Sequence, residues 1–176
     1  MGNTKNAKPA IGNIKPKVSI VILNWNGLHH LKTFLPSVLN TKYENLEIVI
    51  GDNDSSDGSV EYIKANYSNI KVIVNEQNFG FAKGYNEVLK KVRSDYYVVL
   101  NSDVELSDNW LSYVIEFMNN NPIVAACQPN ILDYKDRSKY EYAGAAGGYL
   151  DSLGFPFCRG RLFDTLEDIQ ESYSNN

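Results

Sequence analysis

From Lys17 onward, short apolar runs alternate with stretches in which apolar residues recur every three or four positions. Residues 18–23, 46–50, 70–74, 96–100 and 123–127 are the runs. They are rich in Val and Ile and nearly continuous, so they read as strands buried on both faces. Between them Leu28, Leu31, Leu35, Val38 and Leu39 fall on one helical face, as do Phe81, Tyr85, Val88, Leu89 and Val92, and then Trp110, Leu111, Val114, Ile115 and Met118. A further helix carries Tyr62 and Ile63. Strand and helix alternate four times, which predicts an α/β fold with a mostly parallel sheet and helices on both faces. Residues 1–16 are polar, contain Gly and Pro and show no period, so they read as a flexible arm. Residues 17–130 are then the α/β domain, and residues 131–176 a partial second region.

In such a sheet ligands bind beyond the carboxyl ends of the strands, and here those positions are polar. After the first strand comes Asn24-Trp25-Asn26-Gly27, and after the second Gly51-Asp52-Asn53-Asp54-Ser55-Ser56-Asp57-Gly58. After the third comes a run from Asn75 to Asn86 with Gly80 and Gly84 at a helix start, and after the fourth Asn101-Ser102-Asp103. All four are expected on one rim. Ser55, Ser56, Asp57 and Gly58 suit a helix cap. Asp52, at a strand end, is placed to accept a hydrogen bond from a ring N–H of a bound base. Gly80 and Gly84 either ease a tight helix entry or let backbone N–H groups approach phosphate. Lys83 is either a partner for a diphosphate or a solvated side chain, and Trp25 either a platform for a base or a core residue. Asp103 can reach a hard divalent cation, Mg or Mn, whose other ligands are phosphate oxygens and water. As turn residue, it would instead precede a cap at Ser107. His29 and His30 would point apart on a helix, so a shared metal is not expected.

Charge and cysteines remove other classes. The net charge of −4, with both signs mixed along 176 residues, gives no broad grip on nucleic acid. Cys127 and Cys158 lack metal-ligand spacing and read as packing thiols in a reducing compartment. No apolar stretch reaches the roughly 18 to 20 residues of a spanning helix, and a cytoplasmic location is expected.

Four blocks together carry a resemblance: residues 18–27 ending in Asn24-Trp25-Asn26-Gly27, residues 52–59, residues 78–86, and Leu100-Asn101-Ser102-Asp103. In this order and spacing they are similar to family 2 glycosyltransferases, most of all their rhamnosyltransferase-like branch, cut off after the donor-binding part. The resemblance covers residues 17–127 and, more loosely, 143–168. It implies a GT-A, Rossmann-like fold and a nucleoside-diphosphate sugar donor of UDP, dTDP or GDP type. It puts Asn24, Trp25 and Asn26 in the nucleotide cleft and Asp52 and Asn53 where the base is read. Gly80 and Gly84 fall in the family's glycine turn near the phosphates, where Lys83 departs from the small residue often found and would either tune phosphate contact or do nothing. The family's metal motif, usually Asp-x-Asp, is here Asn101-Ser102-Asp103: Asp103 would hold the divalent cation, Asn101 would meet ribose or sugar beside Ser102, and the site carries one charge fewer.

The reaction so implied moves a sugar to an acceptor hydroxyl, with inversion in the family's manner, in polysaccharide or cell-surface glycan synthesis. Positive character builds at the anomeric carbon and negative charge on the leaving diphosphate, which a cation at Asp103 would stabilise. The general base that takes the acceptor proton is expected beyond Asn176, since Glu167 and Asp168 read as exposed helix charges. The acceptor would be a glycan or lipid-linked, with peripheral association of the full-length protein at the inner membrane face. A nucleotide-sugar-binding module without turnover is the alternative, and this chain is expected to bind donor better than it transfers sugar. A dinucleotide oxidoreductase is disfavoured, because the first turn lacks a G-x-G-x-x-G run. Tyr134, Tyr140, Tyr142, Gly147 and Gly148 form either a flap near the sugar or a surface loop.

Overall fold

The computed structural model describes residues 15–141, 148–158, 161–162 and 165–166. It divides into two compact units, Met1–Tyr113 and Val114–Asn176. The first unit alternates strand and helix: β1 (Val18–Asn24), α1 (Leu28–Leu39), β2 (Leu46–Asp52), α2 (Ser59–Asn66), β3 (Lys71–Val74), α3 (Phe81–Leu89) and β4 (Tyr96–Asn101), with α4 (Trp110–Asn120) following. The four strands form one parallel sheet in the order β3-β2-β1-β4. At the carboxyl edge Asn24 pairs with Asp52, Asp52 with Val74, and Leu23 with Asn101. The four polar tips therefore leave the sheet side by side.

Two apolar layers hold the helices. Ile20, Ile22, Ile48, Ile50 and Leu100 face Leu31, Leu35 and Val38 of α1 and Ile63 of α2. The opposite side residues Val21, Val49 and Ile73 face Tyr85 and Val88 of α3 and the nearby Val92. Helices thus cover both faces, as the period-2 strand geometry and the helical spacing require. Phe81 departs from its expected place: it is exposed, one turn short of the buried part of α3. Only β1 and β2 approach continuous burial. Val74 on β3 and Tyr97 and Val99 on β4 are exposed, whereas Ile73 of β3 is packed under α3.

The expected strand at 123–127 does not form. Asn121 and Pro122 close α4 and bend the chain, with the Val124 N–H on the Asn121 carbonyl at 2.9 Å, and Ile123 is 95% exposed. An apolar run becomes a strand only where a neighbour takes its backbone groups, and no described residue pairs with this one. Cys127 is exposed and free, not packed in a core; the Cys158 side chain lies outside the description.

Among its described residues the second unit has two short antiparallel pairs, β5 (Gly148–Leu150) with β6 (Pro156–Cys158) and β7 (Arg161–Leu162) with β8 (Thr165–Leu166). A lone bridge joins Leu132 to a buried Tyr140, so Tyr140 is not a free flap residue, whereas Tyr134 is exposed. Tyr142, Gly147, Glu167, Asp168 and residues 1–14 lie outside the described residues. The last two arm residues are tied down: Tyr43 Oη donates to the Pro16 carbonyl and Asn45 Nδ2 to that of Lys15, both at 3.0 Å. Among the described residues no helix is long and apolar enough to cross a membrane.

Candidate nucleotide-sugar site

The order of strands singles out one crevice. β1, β2 and β3 succeed one another toward one edge, while β4 joins the other side of β1, so the direction of winding reverses between β1 and β4. Ligands of open parallel sheets bind outside the carboxyl ends at such a point. The residues that leave the sheet there are Asn24 to Gly27 and Asn101 to Asp103. The loops are close: a Cβ on Gly27 would lie 3.6 Å from Ser102 Oγ. Asn101 and Asp103 are exposed, and Trp25 is 58% exposed at the same rim, not a core residue.

A lattice of hydrogen bonds holds the first loop to the second. Asp52 is 1% exposed, and its Oδ1 accepts from the Ser55 N–H at 2.8 Å while Oδ2 accepts from Asn24 Nδ2 at 3.0 Å. Asn24 Nδ2 also donates to Ser55 Oγ, which accepts from the Asn26 N–H at 2.9 Å. Asn26 Oδ1 in turn accepts from the Ser56 N–H. Asn26 and Asp54 sit at positive φ, 48° and 65°, a conformation that Asn and Asp tolerate better than most residues. Asp52 thus braces the loops, a role that its strand-end position did not reveal. Asn24 Oδ1 stays buried without a hydrogen-bond partner among the described residues, close under Gly27.

Asp57 performs the capping expected of its stretch, but for two helices. Its Oδ2 accepts the Leu28 N–H that opens α1 at 2.8 Å, and its Oδ1 accepts the N–H and hydroxyl of Ser59 at the start of α2. Burial pushes the Asp57 carboxyl up, and the bonds from the Ser59 hydroxyl, the Leu28 N–H and the Ser59 N–H outweigh it, holding the group below its ordinary value.

Asn53 organises the turn into α3. Its Nδ2 donates to Asn78 Oδ1 at 2.7 Å and to the Gly80 carbonyl, and its Oδ1 accepts from Asn75 Nδ2 and the Phe79 N–H. Every polar atom of this buried side chain faces the protein. Gly80 adopts φ 73° and ψ −169°, a region open to glycine, and its N–H donates to Asn78 Oδ1. Gly84 answers a packing demand: a Cβ there would stand 3.0 Å from both Asn53 Nδ2 and Leu23 Cδ2, and its N–H already bonds the Gly80 carbonyl. Neither glycine amide is therefore free for phosphate; the open amides of this turn precede Gly84, at Phe81 to Lys83. Lys83 is exposed, with Nζ 4.2 Å from the Phe79 ring centre.

Tyr85 is the residue that sequence reading placed only in the core. It is 4% exposed, donates from Oη to the Leu100 carbonyl at 2.7 Å and accepts from the Leu23 N–H at 3.4 Å. Burial first, then the nearby Asp103 charge, push its phenol up, against the lowering effect of the Leu23 bond. Its one sequence signal is a polar tip at a core position of α3. His29 and His30 do not point apart: their ring centres are 3.8 Å from each other.

For a cation the donor set is small. Among the described residues no three His, Cys, Asp or Glu side chains gather as a metal cluster, and Asp103 stands as an exposed carboxylate near Asn101. That set suits an ion whose remaining ligands are phosphate oxygens and water.

Comparison with known proteins decides the family. The model of the family described as Glycosyl transferase family 2 matches residues 19–171. The chain belongs to this family. As a family 2 glycosyltransferase chain it is 31% identical over 116 residues to a poly-β-1,6-N-acetyl-D-glucosamine synthase of Staphylococcus epidermidis, covering 64% of this chain and 28% of that protein. It is 33% identical over 100 residues to a UDP-Glc:α-D-GlcNAc-diphosphoundecaprenol β-1,3-glucosyltransferase of Escherichia coli, covering 56% and 38%. Among solved structures it resembles a mannosyltransferase of Pyrobaculum calidifontis in complex with GDP-Man and Mn2+, with a TM-score of 0.54 at 16% identity over 68% of this chain and 34% of that one. This likeness shows the GT-A fold. The chain spans 35–40% of the length of three further bacterial relatives described as glycosyltransferases.

Proposed function

We propose that this chain binds the donor of a glycosyltransferase that moves a sugar from a nucleoside diphosphate to an acceptor hydroxyl, with inversion, in polysaccharide or cell-surface glycan synthesis. The observation that carries this reading is the meeting of the Asn24–Gly27 and Asn101–Asp103 loops at the point where the winding of the sheet reverses. The relatives named as a polysaccharide synthase and as a glucosyltransferase acting with UDP-Glc support it, as does the neighbour solved with GDP-Man and Mn2+.

In this reading Trp25 offers its exposed ring to the base, and the α3 first turn with Lys83 faces the diphosphate. Asp103 holds a Mg or Mn ion jointly with the diphosphate oxygens, so metal and nucleotide bind together. Bound there, the cation would supply positive charge to offset that on the leaving diphosphate. Asp52 and Asn53 act from behind, fixing the loops that touch the ligand. The acceptor is a glycan or a lipid-linked sugar, the branch is rhamnosyltransferase-like, and the full-length protein works in the cytoplasm at the inner membrane face.

Calorimetric titration with UDP, dTDP, GDP and NAD, each with and without Mn2+, tests the site. One nucleoside diphosphate should bind, more tightly with Mn2+, and Asp103→Ala should remove the metal effect while leaving the fold intact. Equal metal enhancement in wild type and Asp103→Ala, or binding of NAD alone, would refute the reading.

A further inference from the structure

One hydroxyl lies behind both loops of the crevice. Tyr85 projects from α3 among Val21, Val49, Ile73, Val88 and Val92, with its ring edge-on to Phe81 at 5.0 Å. Phenylalanine would fill that apolar space as well, and burying a phenol costs free energy unless its oxygen is paired. The pairing here crosses from one strand to the other. Oη donates to the Leu100 carbonyl on β4 at 2.7 Å and accepts from the Leu23 N–H on β1 at 3.4 Å. Leu23 immediately precedes Asn24, and Leu100 immediately precedes Asn101-Ser102-Asp103. Leu23 and Asn101 are also partners in the parallel register, so the hydroxyl joins the last rung of the sheet before the two tips separate. At 4% exposure Tyr85 is shielded from any ligand in the crevice.

We propose that Tyr85 is a positioning residue for the nucleotide–cation site, its hydroxyl fixing the Asn101–Asp103 tip relative to the Asn24 tip. The inference rests on the reading that Asp103 shares a cation with the nucleotide. A diphosphate bound across both tips needs them at a set separation, whereas a nucleotide touching only the β1 side does not. Loss of the hydroxyl therefore acts on the coupling between metal and nucleotide more than on the nucleotide alone.

The test compares wild type, Tyr85→Phe and Val92→Ala in calorimetric titrations with the nucleoside diphosphate that wild type binds, with and without Mn2+. Val92→Ala trims the same apolar layer and leaves the bonds from the Tyr85 hydroxyl to Leu23 and Leu100 in place. In Tyr85→Phe the enhancement by Mn2+ should fall about tenfold, the scale of one good hydrogen bond, while metal-free affinity stays near wild type. Val92→Ala should melt at a lower temperature and keep the full enhancement. Undiminished enhancement in Tyr85→Phe overturns the inference, and so does an equal loss in Val92→Ala, which would mean general loosening. If wild type itself shows no Mn2+-dependent binding, the assignment of Asp103 fails first and Tyr85 loses its role with it.

Discussion

At this rim, residues with ligand-binding chemistry hold the loops together. Asp52, Asn53 and Asp57 carry the chemistry a binding site would use, yet each is spent on the protein's own N–H groups. Asp57 makes this measurable. Burial raises its carboxyl and the three hydrogen bonds from Ser59 and Leu28 together lower it by more, so the folded value lies below the unfolded one of about 4. A depressed carboxyl contributes stability that is complete above the unfolded value and disappears as pH falls through the folded value. Asp57→Asn should therefore be less stable than wild type at about pH 7, with the gap narrowing toward about pH 2. Urea unfolding of both proteins across that range reads it, and a gap that stays constant would show that the Asp57 charge contributes nothing.

At the scale of elements, α3 sits where it does because two glycines leave room for it. A Cβ on Gly51 of β2 would come within 2.4 Å of Val88 Cγ2, and one on Gly84 would press on Leu23 and Asn53. Helix and sheet approach so closely that Tyr85 can reach through to the backbone of β1 and β4. Gly51→Ala should destabilise the protein by about 1–3 kcal/mol through overpacking. Adding Val88→Ala should recover part of that loss, because the two side chains compete for one space. Thermal melting of the single and double variants decides it; strictly additive losses would mean that the clash is relieved elsewhere.

For the whole molecule, the functional reading makes ligand binding a property of the folded chain, since the crevice draws on β1, β4 and α3 together. A ligand that binds only the native state stabilises it by about 2.7 kcal/mol at one hundred times its dissociation constant. A nucleoside diphosphate with Mn2+ at that excess should therefore raise the melting temperature, and NAD should not. A melting curve unmoved by every nucleotide with Mn2+ would leave the rim without a ligand of this class.

The local pattern of the chain was enough to place four strands and their helices, because burial on a pleated or helical surface imposes a period that residues 18–101 obey. It was also enough to mark the polar tips, since apolar runs that end abruptly in Asn, Asp and Gly show where strands leave a sheet. It misplaced residues 123–127, where an apolar run has no described neighbour to pair with. Nor could it distinguish Asp52, turned inward to Asn24 and Ser55, from Asp103, turned outward, because both are acids just past a strand. The tertiary structure decided that difference, and the part of Tyr85, through bonds between residues far apart in sequence. Hydrogen-bond partners are set by which tips become neighbours, and periodicity along a single strand carries no record of its neighbours.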